Sequence, residues 1–379
     1  VSRRLGVSSH SLYKWLRLIA AEQLGLAEVP VLSITHLTPE EKRAYILADN
    51  RLAEKAGWDK EILAIELQAL IDLDFEIELV GFELAEIDLI LDEDRARTSS
   101  TEPEAADLVP AVSSGPPITQ PGDLWQLGAH RLICGDARDP QAMAKLLAGD
   151  EVDMIFTDPP YNVTVDGHVG GLGKVKHREF AFASGEMSPA EFTTFLREAL
   201  APAAAHCREG AIAYVCMDWR HMREMPAAGD AVFHELKNLC VWNKSNGGMG
   251  SFYRSKHELV FVWKVQAGKH VNSFGLGDTG RYRTNVWDYA GVNTFSASRD
   301  ADLAMHPTVK PVALIGDAIR DCSKRGDIIL DMFGGSGSTL IAADQAGRQA
   351  RMIEYAPAYC DVIVARWEKL TGKSAVRAS

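Results

Sequence analysis

Asp158-Pro159-Pro160-Tyr161 closes the run Glu151-Val152-Asp153-Met154-Ile155-Phe156-Thr157. The apolar, β-branched residues read as a short buried strand, and two prolines carry the chain out of a sheet directly after Asp158. A carboxylate, a carbonyl followed by no N–H and an aromatic ring therefore gather at the carboxyl edge of a strand, where open α/β sheets bind ligands. Such a cluster suits a narrow task. The exocyclic amine of adenine or cytosine is a poor nucleophile because its lone pair is delocalised into the ring. Asp158 accepting one N–H and the Pro159 carbonyl the other would draw that nitrogen towards a tetrahedral geometry. Tyr161 could stack on a base taken out of the duplex, a contact worth roughly 1–3 kcal/mol. The plainer reading of Asp-Pro-Pro is a strand-terminating turn; the tyrosine that follows and the loop described next favour chemistry.

A second stretch, Asp327-Ile328-Ile329-Leu330-Asp331-Met332-Phe333-Gly334-Gly335-Ser336-Gly337-Ser338-Thr339, passes from an apolar strand through glycines into a helical pattern that ends near Ala346. Strand, glycine loop and helix let a backbone approach a bulky nucleotide-like ligand. NAD, phosphate and S-adenosylmethionine sites all use that arrangement. Glu354 ends the next apolar strand, Ala350-Arg351-Met352-Ile353, where a carboxylate can bridge two ribose hydroxyls. The loop lacks the Gly-x-Gly-x-x-Gly spacing and no Walker lysine follows it, so a ligand with ribose and no pyrophosphate fits better.

Taken together, Asp158-Pro159-Pro160-Tyr161, Asp331 to Gly337 and, before the glycine loop, His306-Pro307-Thr308-Val309-Lys310-Pro311 resemble the amino-methylating DNA methyltransferases in their permuted, β-type motif order. The resemblance covers residues 123–370. It implies a Rossmann-like α/β sheet with helices on both faces, S-adenosylmethionine as methyl donor, and Asp158, Pro159, Pro160 and Tyr161 as the catalytic tetrad. It further implies that Asp331, Phe333, Gly334, Gly335, Ser336 and Gly337 hold the methionine moiety, Thr308 and Lys310 its carboxylate side, Glu354 the ribose, and Asp136 and Ala137 the adenine. From the bare sequence, Asp136 could equally be a turn residue. Asp at position 158 usually accompanies adenine N6 in this family and Ser accompanies cytosine N4, so adenine is the expected base, with N4-cytosine as the alternative. No Pro-Cys motif points to a ring carbon, and no metal is required, because the sulfonium already activates the methyl.

The elements that must position these groups alternate in the expected way. Residues 123–127 and 130–136 form a hairpin-like pair, and a helix at 140–147 leads to the Asp158 strand. Helices such as 189–201 then alternate with strands such as 211–215, which implies a mainly parallel sheet covered on both faces. Residues 239–244 and 257–263 read as antiparallel strands that finish it. Upstream, residues 1–19 carry a partial helix-turn-helix pattern resembling the start of transposase DNA-binding subunits, with Ser8 as helix N-cap and Leu12, Trp15 and Leu16 at helical spacing. Residues 20–96 are helical and acidic and resemble the later half of a ParB-like domain, a truncated accessory module that makes the N-terminal part small and mainly helical. Residues 97–122, rich in Thr, Ser, Pro, Glu and Ala, read as a flexible linker, and 123–379 as the catalytic domain.

Composition sets the remaining bounds. The 379 residues suffice for two or three domains, and their net charge of −12 taken as a whole argues against a nucleic-acid partner. The imbalance is local: residues 1–110 hold 22 acidic against 11 basic side chains, leaving 30 against 29 in the rest. Double-stranded DNA with a flipped base is the partner expected, and two stretches suit it. Lys174, Lys176 and Arg178 lie in a basic, glycine-rich run; Arg281, Arg283 and Asn285 lie among aromatics in residues 264–305, where the family keeps its target-recognition segment. The family also makes a homodimer a candidate assembly. Six cysteines without Cys-x-x-Cys spacing, no apolar run near the roughly 20 residues of a membrane span and no signal-peptide h-region give a cytoplasmic expectation without structural zinc. Two rival readings are a DNA-binding adaptor with an inactive methylase domain and a methyltransferase acting on RNA or on protein glutamine; the intact tetrad and loop argue against the first, Asp rather than Asn at 158 against the second.

Overall fold

The computed structural model describes residues 60–72, 82, 86–91, 94, 105–113, 115–163, 183–245, 247, 252–274, 282–291 and 309–378. The chain divides into two compact units, residues 1–96 and 97–379. In the first, α1 (Lys60–Asp72) and the helical residues 86–91 share a small core of Leu63, Ala64, Leu67, Ile87, Ile90 and Leu91. Those positions recur at helical spacing, so each segment presents one apolar stripe. The helix-turn-helix expected at 1–19 and most of the ParB-like stretch lie outside the described residues.

In the second unit the order is β1 (Leu124–Leu127), β2 (His130–Cys134), α2 (Pro140–Leu147), β3 (Val152–Thr157), α3 (Pro189–Ala205), β4 (Cys207–Met217), α4 (Glu224–Asp230), β5 (Glu235–Asn243), β6 (His257–Lys264), β7 (Val286–Asp288), α5 (Val312–Cys322), β8 (Ile328–Asp331), α6 (Ser338–Gln345), β9 (Gln349–Glu354), α7 (Pro357–Thr371) and β10 (Val376–Ala378). One sheet in the order β10-β1-β2-β9-β8-β3-β4-β6-β5-β7 holds all the strands. Its centre, β2-β9-β8-β3-β4, is parallel, so the carboxyl ends of five strands share one edge. β6 pairs antiparallel with both β4 and β5, as expected from the two apolar runs, but these strands do not finish the sheet: the short β7 lies beyond β5 and parallel to it.

Two-residue periodicity, interrupted by a register shift between Val152 and Met154, sorts the strand side chains into two cores. Met154 and Phe156 of β3, with Ile212 and Tyr214 of β4, face a layer containing Leu314 and Ile315 of α5, Leu340 of α6 and Trp367 of α7. Val152 and Ile155, with Ala213 and Val215, face Met143 of α2, Phe192 and Leu196 of α3, and Met225 of α4. Helices therefore cover both faces. Local signals start them: Asp139 accepts from the Gln141 N–H ahead of α2, and Ser188 forms a capping box with Glu191 at α3. No helix among the described residues is long and apolar enough to cross a membrane.

The stretch expected to be a flexible linker differs from that expectation over residues 105–121. Asp107 accepts from the Val312 N–H at the start of α5, and the Ala106 carbonyl accepts from Arg366 of α7. Thr119 is buried, and Asp361 accepts from the backbone N–H groups of Ile118 and Thr119. Ser, Thr and Pro gave these residues the composition of a tether, but their few polar groups satisfy helix ends of the sheet domain.

Candidate active site

β3 and β8 are neighbours, so Asp158 and the glycine loop leave the sheet side by side. The last residues of the two strands are tied together, with the Thr157 hydroxyl donating to Asp331 Oδ1 at 2.9 Å. Asp158 then lies beside a buried ammonium that comes from far away in the chain: Lys310 Nζ is 2.5 Å from Asp158 Oδ2 and 2.9 Å from Glu258 Oε2. The Tyr161 hydroxyl is 2.5 Å from Asp158 Oδ1 and 3.2 Å from Glu258 Oε2. A second ammonium, Lys244, pairs with Glu258 Oε1. Lys244 Nζ also lies over the Trp242 ring, 4.6 Å from its centroid, and Lys310 lies over the Tyr161 ring at 5.5 Å.

Two carboxylates and two ammoniums thus form a nearly buried cluster whose charges cancel, but the charge is not shared evenly. Burial pushes the Asp158 carboxyl above its ordinary range, and the Glu258 carboxylate adds to that, while Lys310 opposes both. Burial acts against Glu258 as well, yet Lys310 and Lys244 together outweigh it and hold Glu258 down at about 2. For Lys310, the two carboxylates overcome burial and keep it firmly protonated. Of the two carboxylates, Glu258 is the one its ammonium partners hold more firmly as the anion.

The glycine loop is a tight cradle. Asp331 is buried and accepts from Thr157, from the Thr339 hydroxyl at 2.7 Å and from the Phe333 N–H at 3.0 Å; burial pushes it up to about 6. Its side chain braces the loop from within instead of standing open to a ligand, as the resemblance had implied. Gly337 has φ +85°, and a Cβ there would stand 3.1 Å from Ile363; one at Gly334 would meet Met352 Cε at 2.8 Å. These glycines answer to close packing against β9 and α7 as well as to the turn. Glu354, at the end of β9, accepts from the Gly335 N–H at 2.7 Å and the Ala356 N–H at 2.8 Å, and burial pushes it up to about 7. Each of its oxygens keeps a lone pair for another donor.

Other expected residues fall differently. Lys310, just ahead of α5, sits against the Asp158 and Glu258 carboxylates, which occupy its ammonium. Asp136 forks onto its own neighbour Arg138, at 2.7 and 3.0 Å, in the turn that the bare sequence allowed, and Ala137 is buried. Arg283, expected to meet DNA, instead pairs with Asp317 and Asp321 of α5, at 3.3 and 3.0 Å, and donates to Tyr289. Asn285 is exposed and its amide donates to the Leu239 carbonyl. Thr308, Lys174, Lys176, Arg178 and Arg281 lie outside the described residues.

Residues 152–365, more than half of the chain, match a family model described as DNA methylase, of the N6 and N4 type. The chain belongs to this DNA methylase family. A second match, over residues 61–121, is to the ParB-methyltransferase HTH domain, a helix-turn-helix later in the methylase than the pattern at 1–19. Among curated proteins, the type II methyltransferase M.HinfI of Haemophilus influenzae is 23% identical over 244 residues, covering 60% of this methylase and 66% of the relative. M2.MboI of Moraxella bovis is 22% identical over 231 residues, 59% of this methylase and 82% of the relative. The solved PvuII DNA methyltransferase (cytosine-N4-specific) superposes with a TM-score of 0.45 at 15% identity, over 64% of this chain and 93% of that one.

Sequence reasoning missed Glu258, Lys244 and Trp242. Glu258 stood inside a run read only as a strand. Its signal was a lone carboxylate at the second position of an otherwise apolar strand, where burial demands a partner.

Proposed function

We propose that this methylase transfers a methyl group from S-adenosylmethionine to the exocyclic N6 of an adenine swung out of double-stranded DNA, in the cytoplasm. The observation that carries this reading is the adjacency of β3 and β8, which puts the Asp158 carboxylate and the glycine cradle at one sheet edge, linked through Thr157 and Asp331. The cradle's chemistry fits the donor: Glu354, at the end of β9 beside the Gly335 N–H, can accept from ribose hydroxyls and would disfavour a pyrophosphate there, while Asp331 holds the loop's shape from within. Arg366 reaches the loop from behind, where it is buried and donates to the Ser336 carbonyl, so it does not serve a phosphate in front. When bound, S-adenosylmethionine supplies a methyl carbon made electrophilic by positive sulfur.

The residues of the chain then do the rest. Asp158 accepts a hydrogen bond from one N–H of the amine and the Pro159 carbonyl from the other, which fixes the nitrogen and frees its lone pair. As the N–C bond forms the S–C bond would break to leave a neutral thioether, and the proton shed by the methylated nitrogen would pass to the Asp158 carboxylate or to solvent. Lys310 keeps Asp158 ionised while one of its present partners yields to the amine. Tyr161, its hydroxyl held among Asp158, Glu258 and Lys310, offers a ring face oriented for the base. Incubating the protein with labelled S-adenosylmethionine and duplex DNA, followed by nucleoside analysis, tests the reading: label in N6-methyladenine is expected. Label in N4-methylcytosine would move the base assignment, and an absence of label in DNA would end the proposal. Asp158→Ala should lower turnover by about 10³-fold, with cofactor binding retained.

A further inference from the structure

Beyond Lys244, which pairs with Glu258, the connection between β5 and β6 has no part in the transfer chemistry described above. β6 runs antiparallel to β4, with Leu259 opposite Met217, and its first residue His257 pairs with Asn243 at the end of β5. The connection therefore emerges at the sheet edge that carries Asp158. On it, Phe252 is 86% and Tyr253 81% exposed, their rings packed edge to face with centroids 4.7 Å apart. Two adjoining rings left in water are unfavourable unless a partner covers them. Their surroundings are cationic: no acidic residue stands between Glu235 and Glu258, while Lys244, Arg254 and Lys256 all lie in that interval. Arg254 and Lys256 are exposed, and neither has an ion-pair partner among the described residues.

The position is as telling as the chemistry. Tyr253 is five residues before Glu258, and Glu258 holds the lysine that touches Asp158. Five extended residues span at most about 18 Å, so the ring pair is tethered within that distance of the Glu258 backbone. On the base-flipping reading, a base drawn to Asp158 leaves an unstacked gap in the helix on the side of the protein where these rings stand. We propose that Phe252 and Tyr253 enter the duplex as a stacking wedge beside the extruded base, with Arg254 and Lys256 on the flanking phosphates. The wedge rests on the base-flipping reading above and names the residues that offset its cost: a flipped base gives up its stacking, and each inserted ring returns binding of about tenfold.

The test uses the full chain and the sequence that the wild-type protein methylates. Binding of wild type and of the Phe252→Ala/Tyr253→Ala double variant is measured on that duplex and on the same duplex with an abasic position opposite the target, where flipping is already cheap. The double variant should bind the paired duplex at least tenfold more weakly, lose the rise in 2-aminopurine fluorescence at the target, and recover most of the deficit on the abasic duplex. Its cofactor binding and thermal midpoint should stay those of wild type, and Phe252→Tyr/Tyr253→Phe should restore binding. Equal losses on both duplexes, or no loss on either, would overturn the wedge while leaving the transfer reading intact. Failure of the wild-type protein itself to methylate DNA would remove both.

Discussion

Asp158 and Glu258 share one ammonium, and the inequality between them makes a measurable difference. Removing the Glu258 charge takes away a repulsion that raises the Asp158 carboxyl and leaves Lys310 to serve Asp158 alone. Activity needs Asp158 ionised, so the rate falls as pH drops through its raised value. In Glu258→Gln that acid limb should move to lower pH, a shift that simple loss of packing would not produce; an unmoved limb in the rate profile would show that the two carboxylates are not coupled. Glu354 offers a second titration. If its ionised form accepts from the ribose, affinity for S-adenosylmethionine should weaken as pH falls through about 7. Calorimetry from pH 6 to 8 should show this in wild type and a flat profile in Glu354→Gln.

At the scale of elements, the segment leading into β7 is fastened to α5 by Arg283, whose side chain is largely buried and meets Asp317 and Asp321. Breaking a pair of this kind takes the Arg283 guanidinium away from Asp321, 3% exposed, an effect of about 3 kcal/mol or more. Arg283→Ala should therefore lower the thermal midpoint clearly while leaving the salt dependence of DNA binding unchanged. A reduced salt slope at unchanged stability would return Arg283 to the phosphate role its sequence context suggested. The same logic explains why Lys310 was placed with the cofactor on sequence grounds: a motif position records chain order, whereas contact depends on which strand end the chain passes.

For the molecule as a whole, residues 105–121 behave as a strap of the sheet domain. Arg366 is 1% exposed, donates to the Ser336 carbonyl of the cofactor loop on one side and to the Ala106 carbonyl on the other, and burial holds its guanidinium down at about 10. A chain cut to residues 97–379 should keep its fold and cofactor affinity. A chain cut to 123–379 removes the Ala106 acceptor and the Asp107 partner of α5, and should melt earlier and bind S-adenosylmethionine more weakly. Equal midpoints for the two would show that the strap contributes nothing, and the boundary would return to residue 122.

Local chemistry alone was enough to read the tetrad, the glycine loop, the Glu354 strand end and the alternation of helices and strands, because each rests on short-range rules: prolines end strands, glycines open loops, and apolar periods of two or 3.6 assign elements. That Asp158 and the loop share an edge also followed, since parallel crossovers return strands in one direction. Only the tertiary structure brought Glu258 and Lys244 to Asp158, turned Asp331 inward, took Arg283 off the surface and fastened residues 106–107 and 118–119 to α5 and α7. Those outcomes depend on which strands become neighbours and which buried charges find partners, and contacts between residues on different elements leave no periodic trace along the chain.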